Sequence, residues 1–171
     1  YDGKVPYEDM FFEELIPYME KTYRIRSDKE SRAIAGLSMG GYGSFLYSLH
    51  HPDMFCACAP LSAAVFDDTV MEARKNKSHK DLFNRLFGPG DEHWKQNNVL
   101  KILSDWNQNN LPKIRYYIDC GDDDGLLDGN MQVHQVMKQK GIRHEFRVRD
   151  GGHSWTYWRT ALPEVLRFVS Q

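Results

Sequence analysis

A chain of 171 residues, 41% hydrophobic and 13% aromatic, is long enough for one domain with a real core and too short for two ordinary ones. Its 22 basic and 24 acidic residues, formal charge −2, are scattered along the chain, so no basic stripe is available for nucleic acid or an anionic membrane. No run approaches the roughly 18 apolar residues of a transmembrane helix and no charged-then-apolar leader opens the sequence, so the expectation is a soluble protein acting on a neutral or weakly charged small molecule.

The sequence begins at Tyr1 rather than Met, and the expectation is that the natural protein continues upstream, which leaves its compartment open. Residues 7–23 place Phe11, Leu15, Met19 and Tyr23 at a four-residue spacing, with acids early and Lys21 and Arg24 late. That pattern predicts a helix with its dipole complemented, and Pro17 predicts a kink in it. Residues 31–35 run into Gly36 as a short buried parallel strand ending in a sharp turn, and 42–50 follow as a helix stopped by Pro52.

Residues 55–61 and 114–120 read as two more apolar strands, 130–140 as a helix capped by Gly141, and 143–149 as an alternating strand near the sheet edge. Cys56 and Cys58 are expected on one face of their strand, and with Cys120 make an odd count that favours free, buried thiols over a disulfide framework. Between 63 and 112 the strand–helix alternation breaks into polar, helix-prone pieces with turn signals, read as a cap-like insertion over the site. The whole is an α/β pattern: a mainly parallel sheet flanked by helices, with its functional groups at the carboxyl ends of the strands.

Gly36-Leu37-Ser38-Met39-Gly40-Gly41 is a G-x-S-x-G sequence between a predicted strand and a predicted helix, the context this motif needs. A strained turn there exposes the serine hydroxyl, the flanking glycines let backbones crowd without a Cβ clash, and the Met39 N–H points at a developing oxyanion. A glycine-rich structural turn is the competing reading, and the strand-to-helix context speaks against it. A serine hydroxyl is a poor nucleophile without a base, and Gly151-Gly152-His153 supplies one on a loop between a strand and a helix.

The remaining histidines, His50, His51, His79, His93, His134 and His144, fall on helices, strands or the insertion, where a structural role is favoured. Between serine and histidine, Gly121-Asp122-Asp123-Asp124 offers the carboxylate that would fix the imidazole tautomer, and spacing alone does not choose among the three aspartates. Calcium binding is disfavoured there because the acids lack the alternate spacing of an EF-hand loop. Trp155, Tyr157 and Trp158 either line a substrate pocket or pack the last helix, and Asn76, Trp94 and Trp106 of the insertion are candidates to meet substrate.

The serine motif, Cys120-Gly121-Asp122-Asp123-Asp124 and Gly151-Gly152-His153-Ser154-Trp155-Thr156-Tyr157-Trp158 together resemble the putative esterase family of α/β-hydrolases. That group includes feruloyl and acetyl xylan esterases and the S-formylglutathione hydrolase called esterase D. The resemblance implies Ser38, Asp124 and His153 as a catalytic triad, with Asp123 second to Asp124 as the acid. It implies Met39 as an oxyanion donor, Trp155 and Trp106 near substrate, and neither metal nor cofactor.

The implied reaction is ester hydrolysis through an acyl-enzyme on feruloyl or acetyl esters of plant polysaccharide, in a secreted or periplasmic setting. A thioester hydrolase of the S-formylglutathione type and a non-catalytic carbohydrate-binding relative are the alternatives. The partner is a small-molecule or polysaccharide ester, with no nucleic acid and no membrane. The family begins with several strands and an oxyanion loop ahead of the helix that opens this sequence. The sequence is therefore expected to be a fragment or truncated form, or to take those strands from another chain, a homo-oligomer being one such form.

Overall fold

The computed structural model describes residues 6–75, 80–88, 92–107 and 113–171. The chain enters as α1 (Tyr7–Asp9), widens into a π-helical stretch (Met10–Leu15) and continues as α2 (Ile16–Thr22). Pro17 has no N–H to give and its ring crowds the carbonyl one turn back; the wider turns immediately before it relieve that crowding, where the sequence predicts a kink. Phe12 stacks on His51, and Glu8 accepts hydrogen bonds from His50 and His51 at 2.9 and 2.8 Å, tying this segment to α3 (Met39–His50).

After a 3₁₀ turn (Lys29–Ser31) come β1 (Ala33–Leu37), β2 (Ala57–Leu61), β3 (Arg115–Gly121) and β4 (His144–Arg149). Among the described residues they form one sheet, parallel throughout and ordered β1-β2-β3-β4. Sequential order with parallel pairing puts every crossover helix on one face. There Phe45 and Leu49 of α3, Leu103 of α7 (Val99–Asp105), and Val133 and Met137 of α8 (Leu127–Gln139) bury Cys58, Tyr116 and Ile118. The other face belongs to α9 (Trp155–Val169), whose Tyr157, Trp158, Ala161, Val165 and Phe168 cover Ala57, Ala59 and Tyr117. Each such aromatic or aliphatic side chain removed from water contributes about 1.5–3 kcal/mol.

Three expectations need correcting. The first strand begins two residues later than expected and carries on through Gly36 to the serine. It is half-exposed rather than buried, because it has a ladder neighbour on one side only among the described residues. Cys58 is fully buried in the α3-side core, its thiol pushed up to about 12 by burial, whereas Cys56 precedes the strand and packs toward α9. Within 63–112 lie α4 (Asp68–Lys75), α5 (Lys80–Phe87), α6 (Glu92–Asn97) and α7, and α7 is no cap: Val99 and Leu103 sit in the main core.

Candidate active site

Ser38 caps α3 with φ 57° and ψ −118°, in the region L-residues avoid, so the chain turns from strand to helix within one residue and lifts the side chain clear of both. Close approach makes that turn possible. A Cβ on Gly36 would lie 2.2 Å from the Gly40 oxygen, and one on Gly41 would lie 2.7 Å from the Leu61 oxygen. Ser38 donates its N–H to Leu61 at 2.9 Å, and its carbonyl accepts from Tyr42 and Ala64, which pins the turn to the ends of β1 and β2. Met39 is the first residue of α3, so its N–H belongs to the turn that has no intrahelical acceptor, where the helix carries partial positive charge.

His153 arrives from the other side of the sheet end. Its loop joins β4 to α9, and a Cβ on Gly121 would fall 1.9 Å from the Gly151 oxygen, so a glycine at the end of β3 is what lets the loop lie down there. Gly151 takes φ +133°, a conformation side chains disfavour, and the Tyr157 ring fills the space its missing Cβ leaves. Both ends of the loop are tied to Asp119, a fully buried carboxylate on β3. Arg149, at the end of β4, bonds it at 2.9 Å, and the Tyr157 hydroxyl, in the first turn of α9, donates to it at 2.5 Å.

Thus held, His153 Nε2 lies 2.9 Å from Ser38 Oγ, and Nδ1 lies 2.9 Å from Asp124 Oδ2. A carboxylate only accepts, so Nδ1 carries the proton and Nε2 is free to take one from the serine. Asp124 is 4% exposed. Burial raises its pKa, but hydrogen bonds from Ser62, the Leu126 N–H and His153 outweigh that and hold the carboxyl below its usual range. Asp122 and Asp123 are exposed; Asp122 accepts the Asp123 and Gly151 N–H groups and shapes the loop instead. Asp122, Asp123 and Asp150 do cluster, their carboxylates within 4.8 Å of one another, but at the surface.

Of the aromatic candidates, Trp155 is 63% exposed beside the site, edge-on to Trp158, which in turn meets the His153 ring edge-on at 4.8 Å. Trp106 is a correction. Its carbonyl accepts from Lys140, just past the end of α8 that lies farthest from Asp124, and its ring packs on the core there. Trp94 is buried against Met71 with its N–H on Asp68, and Asn76 lies outside the described residues. Sequence reasoning missed Asp119, Arg149 and Ser62. A charged or polar residue at the carboxyl end of an otherwise apolar strand is the signal that would have found the first and last.

A family model described as Putative esterase matches residues 1–169. The chain belongs to the putative esterase family. It is 27% identical over 167 residues to an acetyl esterase of Caldicellulosiruptor saccharolyticus, covering 92% of this chain and 61% of that protein. A solved ferulic acid esterase is 40% identical with TM-score 0.79, covering 95% of this chain and 59% of that one. An S-formylglutathione hydrolase from Staphylococcus aureus is 23% identical with the same TM-score, 0.79, covering 96% and 64%. The chain thus has the α/β-hydrolase fold and spans about three fifths of the length of these relatives.

Proposed function

We propose that the protein is a serine carboxylic ester hydrolase acting through Ser38, His153 and Asp124. The observation that carries this reading is the unbroken line Ser38 Oγ, His153 Nε2 and Nδ1, Asp124 Oδ2, with 2.9 Å at each junction, at the carboxyl end of a parallel sheet. His153 takes the serine proton as Ser38 attacks the ester carbonyl, and Asp124 stabilises the imidazolium that forms. The Met39 N–H and the α3 N-terminus face the oxyanion. The imidazolium then protonates the leaving alcohol, and water cleaves the acyl-enzyme by the same route.

The substrate class is an acetyl or feruloyl ester of plant polysaccharide. Its support is the kinship with an acetyl esterase and a ferulic acid esterase, together with the exposed Trp155 indole, a face on which a planar aromatic acid or a sugar ring can lie. Of the three tryptophans that the carbohydrate-binding alternative would use, Trp94 is buried and Trp106 is at the other end of the sheet, which leaves that reading Trp155. The test compares hydrolysis of p-nitrophenyl acetate, methyl ferulate and S-formylglutathione by the protein and its Ser38→Ala variant. Turnover of an oxygen ester that vanishes in the variant supports the reading. A preference for the thioester moves the substrate class, and equal inertness of two folded proteins overturns the mechanism.

A further inference from the structure

No residue from Asp150 to Thr156 is buried, and a cavity of about 370 Å³, lined by Gly151, Ser154 and Thr156 among others, lies against the stretch. Beside the edge-on contact of its ring with Trp158, His153 therefore depends on hydrogen bonds to the frame around it. On the Arg149 side the loop is pinned midway: the Gly151 N–H donates to Asp122 at 2.9 Å, and the Gly151 carbonyl accepts from the Asp123 N–H at 3.1 Å. On the far side the Tyr157 hydroxyl donates to Asp119 Oδ1 at 2.5 Å and, one residue on, the Trp158 indole N–H donates to Ser62 at 3.0 Å. The first is the stronger of those two, because its acceptor is a carboxylate.

Asp119 itself cannot turn away. It is fully buried on β3, between β2 and β4, and its Oδ2 takes the Tyr117 hydroxyl and Arg149, each at 2.9 Å, which leaves Oδ1 to Tyr157. Burial and the carboxylate beside it raise the Tyr157 phenol, so the hydroxyl stays a donor. We propose that Asp119 is a positioning residue for His153, acting through the Tyr157 hydroxyl: a carboxylate locked inside the sheet fixes where α9 begins, and so keeps the imidazole 2.9 Å from Ser38 Oγ. Asp119, being fully buried, touches no substrate.

This inference rests on the triad reading, and its test separates the two. Parent, Ser38→Ala, Tyr157→Phe, Arg149→Met, Asp119→Asn and Val133→Ala, a control in the core on the opposite face of the sheet, are compared on p-nitrophenyl acetate, with unfolding midpoints alongside. Tyr157→Phe keeps the ring that fills the space beside Gly151 and loses only the hydroxyl. A purely structural role would rank activity with stability, and positioning inverts the order. Arg149→Met is the less stable of the two loop variants, whereas Tyr157→Phe is the slower, about tenfold below the parent in kcat with KM within twofold, because displacing the base acts on the transition state. Asp119→Asn is at least as slow, and Tyr157→Phe decides if it does not fold. Val133→Ala, destabilised by a cavity, keeps kcat within about twofold.

A Tyr157→Phe protein with the parent's kcat, or one slowed no more than Arg149→Met, overturns the proposal while leaving the triad intact. If the parent is no faster than Ser38→Ala, the esterase reading has failed, and the imidazole Nδ1–H proton resonance decides Asp119 by itself. A shift in Tyr157→Phe larger than that in Val133→Ala supports positioning, and one no larger refutes it.

Discussion

Gly36 and Gly40 flank Ser38 symmetrically in sequence and asymmetrically in space: a Cβ on Gly36 would strike the Gly40 carbonyl oxygen at 2.2 Å, whereas one on Gly40 would meet nothing within 4 Å. The motif's second glycine thus lends its backbone rather than its emptiness. Gly36→Ala is expected to cost about 2–3 kcal/mol, since the struck atom is backbone on both sides. Gly40→Ala, on an open helix position, is expected to gain about 0.5–1 kcal/mol. Urea unfolding of both variants checks the contrast, and equal effects would show that the turn relaxes freely.

Asp119 is the second testable point. Tyr157→Phe removes its Oδ1 donor, leaving Tyr117 and Arg149 on Oδ2, and is expected to cost about 1–2 kcal/mol. Arg149→Met leaves a fully buried carboxylate without its cation and costs more, about 2–3 kcal/mol, the 26% exposure of the Arg149 side chain keeping it below the full penalty of an unpaired buried charge. Thermal unfolding ranks the two. A larger loss in Tyr157→Phe would mean that the hydroxyl, not the cation, holds the loop.

The Ser38 turn, the order of the strands and the His153 loop are legible in the sequence because each is local: glycines, a short apolar run and a polar stop lie close together along the chain. The choice of Asp124 over Asp122 and Asp123 was not local. It depends on which carboxylate turns inward beneath His153, 29 residues away. Asp119, Arg149 and Tyr157 meet only after β3, β4 and α9 have packed, so no spacing announces them. Trp106 was misplaced for a related reason, since a tryptophan after an amphipathic helix reads the same at either end of a sheet.

Docking of the opening helical segment depends on pH through Glu8 and His50. Burial raises the Glu8 pKa, and hydrogen bonds and attraction from His50 and His51 bring it below its usual value; the Glu8 hydrogen bond raises His50 above its own. The raised histidine contributes stability that is full below about pH 6.5 and is lost as pH climbs through its folded value. The lowered glutamate contributes above about pH 4.3 and loses that contribution as pH falls through its folded value. Hydrogen-exchange protection of residues 7–22 is therefore expected to fall from pH 6 to pH 8.5 by no more than about 1 kcal/mol, given the screening of a half-buried pair. Glu8→Gln should flatten the profile.

Asp124, the acid of the proposed triad, offers the most discriminating substitution. In Asp124→Asn the Leu126 N–H, 2.9 Å from Oδ1, still requires an acceptor and keeps the amide oxygen on its side. The amide NH₂ then takes the Oδ2 place, the nearer of the two oxygens to His153 Nδ1 at 2.9 Å against 3.1 Å for Oδ1, and favours Nδ1 as the acceptor. The imidazole proton moves to Nε2, and the nitrogen 2.9 Å from Ser38 Oγ can no longer receive the serine proton. Geometry is retained and the tautomer is wrong, so kcat is expected to fall by about 10³–10⁴ with little change in KM. Asp123→Asn, exposed and away from the imidazole, is expected to stay within twofold. Acid behaviour follows the same sign: the Asp124 carboxyl is lowered, so its contribution to stability is present above about pH 4 and is lost as pH falls through its folded value. A near-normal Asp124→Asn enzyme beside an inactive Asp123→Asn would reassign the acid.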